Sequence, residues 1–363
     1  MPLLADPIDL GSIHAASRIL MAPLTRGRAT REGVPTPVMA DYYCQRASAG
    51  LIITEATGIS RIGLGWPYAP GIWNDAQVEG WKHVTAAVHE QGGKIVSQLW
   101  HMGRVGHPEV NEGQPVSSSA TTAPGNAHTY SGGQPYPMAR ALELGEIPGL
   151  LDDYARAAEN ALEAGFDGIQ LHAANGYLLD QFLRDNSNFR TDIYGGPIEN
   201  RIRLLGEVVE RLVATIGADK VGVRLSPNGE VQGVNDSHPH DLFGAAAKLL
   251  DEKGAAWLEL REPRAGGTRG APDVAPVHPV IRKAFPRALI LNSDYTLVEG
   301  QAALDRGEAD AITFGRLFLA NPDLPRRLLD QLPLNPPRPD LFYTQGAEGY
   351  VDYPRWEEGG QPA

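Results

Sequence analysis

Short apolar runs rich in β-branched residues alternate with longer segments of helical period along nearly the whole chain. The runs are Arg18–Ala22, Leu51–Glu55, Lys94–Leu99, Gly168–His172, Val221–Leu225, Trp257–Leu260, Leu289–Asn292 and Ala311–Phe314. They are mostly apolar throughout, without the polar alternation of a half-solvated sheet, as expected of parallel strands covered on both faces. Between them the pattern predicts helices over Thr36–Ser48, Ala76–Gln91, Gly149–Ala164, Pro197–Ile216, Asp241–Lys253, Val277–Ala284 and Leu297–Arg306, with a shorter one, Leu324–Leu332, after the last strand. Gly92-Gly93, Gly165, Gly217, Gly254 and Gly307 stand where a helix end favours a left-handed residue, and Pro197 suits a first helical position. Eight strand–helix units in succession predict an α/β fold of the TIM (β/α)8 barrel type. A doubly wound sheet would carry G-x-G-x-x-G after its first strand. The nearest glycine cluster, Gly63-Leu64-Gly65, runs instead into Trp66-Pro67, which cannot open such a helix.

Two segments break the repeat. After the third strand, about residues 100–148 are rich in Gly, Ser, Thr, Ala and Pro. A connection of that length in a compact domain is expected to be a lid or binding loop. At the other end, Ile8–Ile13 predicts an N-terminal hairpin plugging the barrel floor. The reading is a single barrel domain over 1–343, followed by a C-terminal segment and tail over 344–363, of which Glu357–Ala363 is expected to be disordered.

Composition narrows the function. Against 32 Lys and Arg stand 44 Asp and Glu, a formal charge of −12, which argues against a nucleic-acid partner because phosphate affinity needs clustered cations. The lone cysteine, Cys44, excludes an intramolecular disulfide and a four-cysteine iron–sulfur cluster. No apolar run approaches the ~18 residues of a membrane span, and Met1–Asp9 has no basic leader, so a cytoplasmic protein without membrane association is expected. Neither H-x-x-x-H nor a cysteine or carboxylate cluster marks a metal site.

In a barrel, chemistry gathers where the strands end. Those ends read Pro23-Leu24-Thr25-Arg26, Glu55-Ala56-Thr57, Gln98-Leu99-Trp100-His101, His172-Ala173-Ala174-Asn175-Gly176-Tyr177, Arg224, Asn292-Ser293-Asp294 and Gly315-Arg316. Gly315-Arg316 after the last strand fits a phosphate site of backbone N–H groups and a guanidinium, or equally an arginine capping the sheet edge. A Schiff-base aldolase would want a strand-end lysine, but Lys94 and Lys220 lie at strand starts. No G-x-S-x-G elbow is present.

Taken together, these blocks resemble the old yellow enzyme family of FMN-dependent ene-reductases, which are TIM barrels. The resemblance rests on Pro23–Arg26, Gln98–His101, His172–Tyr177, Phe314–Arg316 and Gly346–Tyr350, with Asn186-Ser187, Asp192-Ile193-Tyr194-Gly195-Gly196 and Asn200-Arg201 in support, and runs from Leu3 to about Tyr353. It implies a non-covalent FMN, reduced by NADPH or NADH in ping-pong order, and substrates that are α,β-unsaturated carbonyl or nitro compounds. It further implies that Pro23, Leu24 and Thr25 meet the flavin, Thr25 at O4, and that Ala56 lies by the ring. Gln98 would face the pyrimidine edge and Arg224 the N1–O2 side, while Asn292, Ser293, Gly315 and Arg316 bind the phosphate. His172 and Asn175 would hold the substrate's activating oxygen, with His172 also against the cofactor. Tyr177 would be the proton donor, and Tyr68, Trp100 and Tyr343 the pocket wall. Thr25 stands where another subgroup has a redox-tuning cysteine, which places the chain with the classical subgroup and leaves Cys44 to packing. One departure concerns the phosphate turn, where the family often has glycines. Here Asp294 is expected to point away or to be offset by Arg316. Arg140 in the lid is a candidate guide for the NADPH phosphate. Alternatives are a non-catalytic flavin-binding barrel or a phosphate-binding isomerase or aldolase. Monomer and homodimer are both open.

Overall fold

The structure is a computed structural model that describes residues 1–267 and 270–356. Hairpin strands β1 (Ile8–Leu10) and β2 (Ile13–Ala15) come first, then β3 (Ile19–Met21), α1 (Pro37–Cys44), β4 (Ile52–Gly58), α2 (Asp75–Glu90) and β5 (Ile95–Trp100). The long connection carries α3 (Pro108–Asn111), β6 (Val116–Ser117), β7 (Asn126–Thr129), β8 (Gly132–Pro135) and β9 (Arg140–Ala141). The repeat resumes with α4 (Ile147–Glu163), β10 (Gly168–Ala173), α5 (Leu178–Leu183), α6 (Ile198–Arg201), α7 (Arg203–Ile216), β11 (Val221–Leu225), α8 (Pro239–Glu252) and β12 (Trp257–Arg261). It ends with α9 (His278–Ala284), β13 (Ala288–Asn292), α10 (Leu297–Asp305), β14 (Ala311–Phe314), α11 (Arg316–Ala320) and α12 (Leu324–Leu329).

Strands β3, β4, β5 and β10 to β14 close into a parallel barrel in chain order, β14 pairing back onto β3. The eight strands are the eight runs expected, and the TIM barrel is as read. Their near-continuous apolar character has the reason anticipated: one side chain set points to the helices and the next into the barrel, so both are buried. The hairpin β1–β2 lies at the barrel floor, where Leu10, Ile13 and Ala15 pack with Leu20, Leu51, Ile53, Val96 and Trp257. Among the described residues no helix is long and apolar enough to cross a membrane.

Two features differ from the expectation. The helix expected over 197–216 is divided at Ile202 into α6 and α7, because Arg201 turns inward to pair with buried Asp236 at 2.5 Å and to donate to the Leu183 carbonyl. Helix α5 was not expected. All six of its residues are buried, so it has no polar stripe to give it a helical period. The segment after Pro339 is anchored: Arg26 donates to the carbonyls of Phe342 (3.1 Å) and Gly349 (2.8 Å), and Tyr350 stacks on Tyr42 at 4.0 Å between ring centroids. The stretch Glu357–Ala363, expected to be disordered, lies outside the described residues.

Candidate active site

The strand ends open into a cavity of about 630 Å³ at the C-terminal face of the barrel. Its lining brings together Pro23, Leu24, Thr25, Ala56, Gln98, His172, Asn175, Tyr177, Arg224, Asn292, Ser293, Gly315, Arg316 and Tyr343, all expected there. Tyr68 and Trp100 are not in it. Trp100 is fully buried under the lid beside Leu64 and Met102, with its ring edge-on to Tyr177 at 5.1 Å, so it supports a wall residue rather than forming the wall. Tyr68 sits in a left-handed turn (φ 58°) with its ring edge-on to Tyr130. The aromatic wall consists instead of Trp66, whose ring lies 4.2 Å from His128 and 5.0 Å from Tyr343. Sequence reasoning missed Trp66, His128, Tyr136 and Arg261. Only Arg261 had a usable signal, as a cation one residue beyond the expected end of its strand.

Each element presents its side chain through buried polar ties. The turn after β3, which carries Thr25, is fixed by Glu55: its carboxylate accepts the N–H groups of Arg26 and Gly27, both at 3.1 Å, and the Tyr43 hydroxyl at 3.3 Å. Burial pushes the Glu55 carboxyl above its ordinary range, against the pull of those donors. The turn after β10 places Asn175 (φ 58°) and Gly176 (φ 77°) in left-handed backbone. At Gly176 a Cβ would stand 2.7 Å from the Val231 carbonyl oxygen, so only glycine fits. Ser226 Oγ accepts the Asn175 N–H at 2.7 Å, and Asp180 accepts the Gly176 N–H at 2.9 Å while paired to buried Arg184 at 2.7 Å. That turn delivers the Tyr177 ring edge-on to His172, centroids 4.8 Å apart.

Burial, and secondarily the neighbouring Arg224 charge, hold the His172 pKa well below its ordinary value, so its imidazole is neutral at pH 7. Arg224 donates to Asn292 Oδ1 at 3.0 Å. After β14, Arg316 pairs with Asp294, the offset anticipated for that carboxylate. Arg140 does not line the cavity: both its terminal nitrogens bond Glu146 at 2.6 Å within the lid, which corrects its candidacy as a guide for NADPH.

These residues fit a flavin mononucleotide. Four arginines, Arg26, Arg224, Arg261 and Arg316, line one cavity of a chain whose net charge is −12. Two buried polar atoms of its lining, His172 Nδ1 and Asn175 Oδ1, have no hydrogen-bond partner among the described residues, which is the condition of a polar site built for a ligand. The volume lies within the range of ligand cavities, roughly 300–1,000 Å³.

A closed parallel barrel with a cationic, polar-edged cavity at its strand ends defines an α/β-barrel enzyme with a site for an anionic ligand. Residues 3–335 match the model of the NADH:flavin oxidoreductase / NADH oxidase family, and the chain belongs to that family. It superposes on the old yellow enzyme homologue of Zymomonas mobilis with a TM-score of 0.96 and 60% identity, covering 97% of this chain and 99% of that one. A morphinone reductase in complex with tetrahydroNAD matches with a TM-score of 0.92 and 45% identity over 99% of both chains. A putative 12-oxophytodienoate reductase 5 of Oryza sativa subsp. japonica is 43% identical over 99% of this chain and 96% of its own length. The protein is an FMN-dependent ene-reductase of the old yellow enzyme type, reduced by NAD(P)H.

A buried histidine next to the site gives a stability prediction. His101 is neutral in the folded protein, burial pushing its pKa down to about 4, and its Nδ1 accepts the Gly103 N–H at 3.1 Å. The unfolded chain, with a histidine pKa near 6.5, binds a proton between those values that the native state refuses. Stability is therefore lost as pH falls from about 6.5 towards 4, by roughly 3 kcal/mol from this residue, and His172 acts in the same direction. Denaturant titrations at pH 7.5 and 4.5 should show the decline, and His101→Asn, which keeps an acceptor near Nδ1, should flatten it. An unchanged pH slope in the variant would place the proton uptake elsewhere.

Proposed function

We propose that the cavity reduces the C=C bond of α,β-unsaturated carbonyl or nitro compounds, with His172 and Asn175 holding the activating oxygen and Tyr177 donating the proton. The observation that carries this reading is one turn, 172–177, that sets a neutral imidazole, an amide and a phenol on the same cavity. Gln98 and Arg224 would meet the flavin's pyrimidine side. Thr25 and Ala56 would flank its ring, and Asn292, Ser293, Gly315 and Arg316 its phosphate. Bound and reduced, FMN supplies the hydride that the alkene's β-carbon accepts. An isolated alkene resists that attack because charge would collect on carbon. An adjacent carbonyl or nitro group moves the charge to oxygen, where His172 and Asn175 stabilise it by hydrogen bonds. A neutral donor suits this task, since no buried positive charge is carried when the substrate is absent. Tyr177 passes its phenolic proton to the α-carbon.

Morphinone and 12-oxophytodienoate, in the relatives' names, both denote oxygenated substrates, in keeping with this reading. The relative that holds tetrahydroNAD supports a nicotinamide using the same cavity in alternation. The aromatic wall of Trp66 and Tyr343 would cover a flat substrate. Among the described lining residues there is no lysine, which counts against a Schiff-base aldolase. A flavin-storage barrel would gain nothing from grouping His172, Asn175 and Tyr177. The test uses the purified flavoprotein: NADPH should bleach the flavin absorption, and 2-cyclohexenone should restore it under anaerobic conditions. Bleaching that neither 2-cyclohexenone nor a nitroalkene reverses would overturn the proposal.

A further inference from the structure

The barrel interior beneath the cavity holds a polar chain that the reaction described above does not use. Glu259 on β12 is fully buried, in a position that α/β barrels usually fill with Val, Ile or Leu. Its Oε2 accepts a hydrogen bond from Gln170 Nε2 at 2.8 Å and lies 3.3 Å from Arg224 Nε. Its Oε1 accepts from the Thr313 hydroxyl at 2.6 Å. Gln170 in turn uses Oε1 to accept from Gln98 Nε2 at 2.6 Å. Gln98 and Arg224 line the cavity, whereas Glu259 and Gln170 do not.

Chemistry gives this chain a direction. A carboxylate paired with a guanidinium only accepts hydrogen bonds, so the Gln170 group facing it must be NH₂. The Gln170 oxygen then faces Gln98, whose NH₂ must donate to it. The Gln98 oxygen is thereby left for the cavity. One buried charge sets the orientation of two amides in series. The same charge stands behind Arg224 and offsets part of its field. A buried anion is costly, and a well-packed apolar residue would serve stability as well or better.

We propose that Glu259 is a positioning residue for the flavin site: through Gln170 it makes Gln98 present an acceptor to the cofactor's N3–H, and through Arg224 it lowers the cofactor's reduction potential. This deepens the functional proposal and rests on its placement of Gln98 and Arg224 at the pyrimidine edge. The chain spans β5, β10, β11, β12 and β14, so no single strand end reveals it.

The experiment reconstitutes apoprotein variants with FMN and with 3-methyl-FMN, which lacks the N3 donor, and measures both affinities and the midpoint potential. Gln98→Leu should reduce the preference for FMN over the methyl analogue about tenfold, the worth of one buried hydrogen bond. Gln170→Leu should do the same although it does not touch the cavity, because Gln98 is then free to turn, and the potential should stay near the parent's. Glu259→Gln should raise the affinity for reduced over oxidised FMN about tenfold, a rise in midpoint potential of about 30 mV for a two-electron couple. Glu259→Asp keeps the charge but withdraws it from Gln170, so the preference should fall while the potential holds. That variant keeps the relay testable if Glu259→Gln fails to fold. If Gln98→Leu retains the preference, the placement of Gln98 at the flavin fails. If Gln98→Leu loses it while Gln170→Leu and Glu259→Asp retain it, the relay alone is overturned. A folded Glu259→Gln protein with the parental potential overturns the electrostatic role.

Discussion

Tyr177→Phe should slow enone reduction by about 10²–10⁴-fold, the usual worth of a positioned general acid, while leaving the protein folded and yellow. The substitution removes one hydroxyl and keeps the ring that packs edge-on against Trp100 and His172. Bleaching by NADPH requires no proton from Tyr177 and should proceed at nearly the parental rate. Reoxidation by 2-cyclohexenone should become the slow half-reaction, because the α-carbon has lost its acid. A nitroalkene should respond differently, since the nitronate it forms is stable enough to leave and take its proton from water. Stopped-flow measurement of both half-reactions with both acceptors separates these outcomes. Should the enone reoxidise the variant as fast as the parent, Tyr177 is a wall residue and the proton has another source.

The second large effect is expected of His172→Ala combined with Asn175→Ala. Losing a single oxyanion donor typically costs about 10²–10³-fold, and this variant removes both groups assigned to one oxygen. Enone turnover should fall at least that far, and phenols, whose phenolate mimics the developing enolate, should no longer bind. Flavin should remain bound through the phosphate contacts proposed for Asn292, Ser293, Gly315 and Arg316, which lie on other strand ends of the cavity. Phenol binding can be titrated by its perturbation of the flavin spectrum. Parental phenol affinity in the double variant would mean that the oxygen docks on other donors. Because burial and Arg224 hold His172 neutral, the pH profile of the parent should show no loss assignable to this imidazole between pH 6 and 8.

Much of this architecture is written locally. Eight apolar runs, each followed by a segment of helical period, specify a barrel without knowledge of any contact, because burial on both faces leaves a compositional mark at each strand. The site was legible for a related reason. A barrel brings every strand end to one face, so residues as far apart in the chain as Thr25 and Arg316 could be assigned to one cavity from their positions at strand ends alone.

What strand position cannot supply is the direction of a side chain once the strand has ended. Trp100 and Tyr68 were expected to line the cavity, but the lid covers the first and a left-handed turn carries the second to Tyr130. Trp66 and His128 take the wall instead, brought together by the lid hairpin across more than sixty residues of chain with no local periodicity to announce it. Arg26 shows the same limit, since its partners, the carbonyls of Phe342 and Gly349, lie over three hundred residues away. The sequence by itself determined the barrel, its floor hairpin and the residue types on its functional face, because periodicity and order are properties of the chain. Tertiary structure alone decided which aromatics face the cavity and that Glu259 lies behind both Gln98 and Arg224. Those relations depend on barrel closure and on loop paths, which join strands that are not neighbours in sequence.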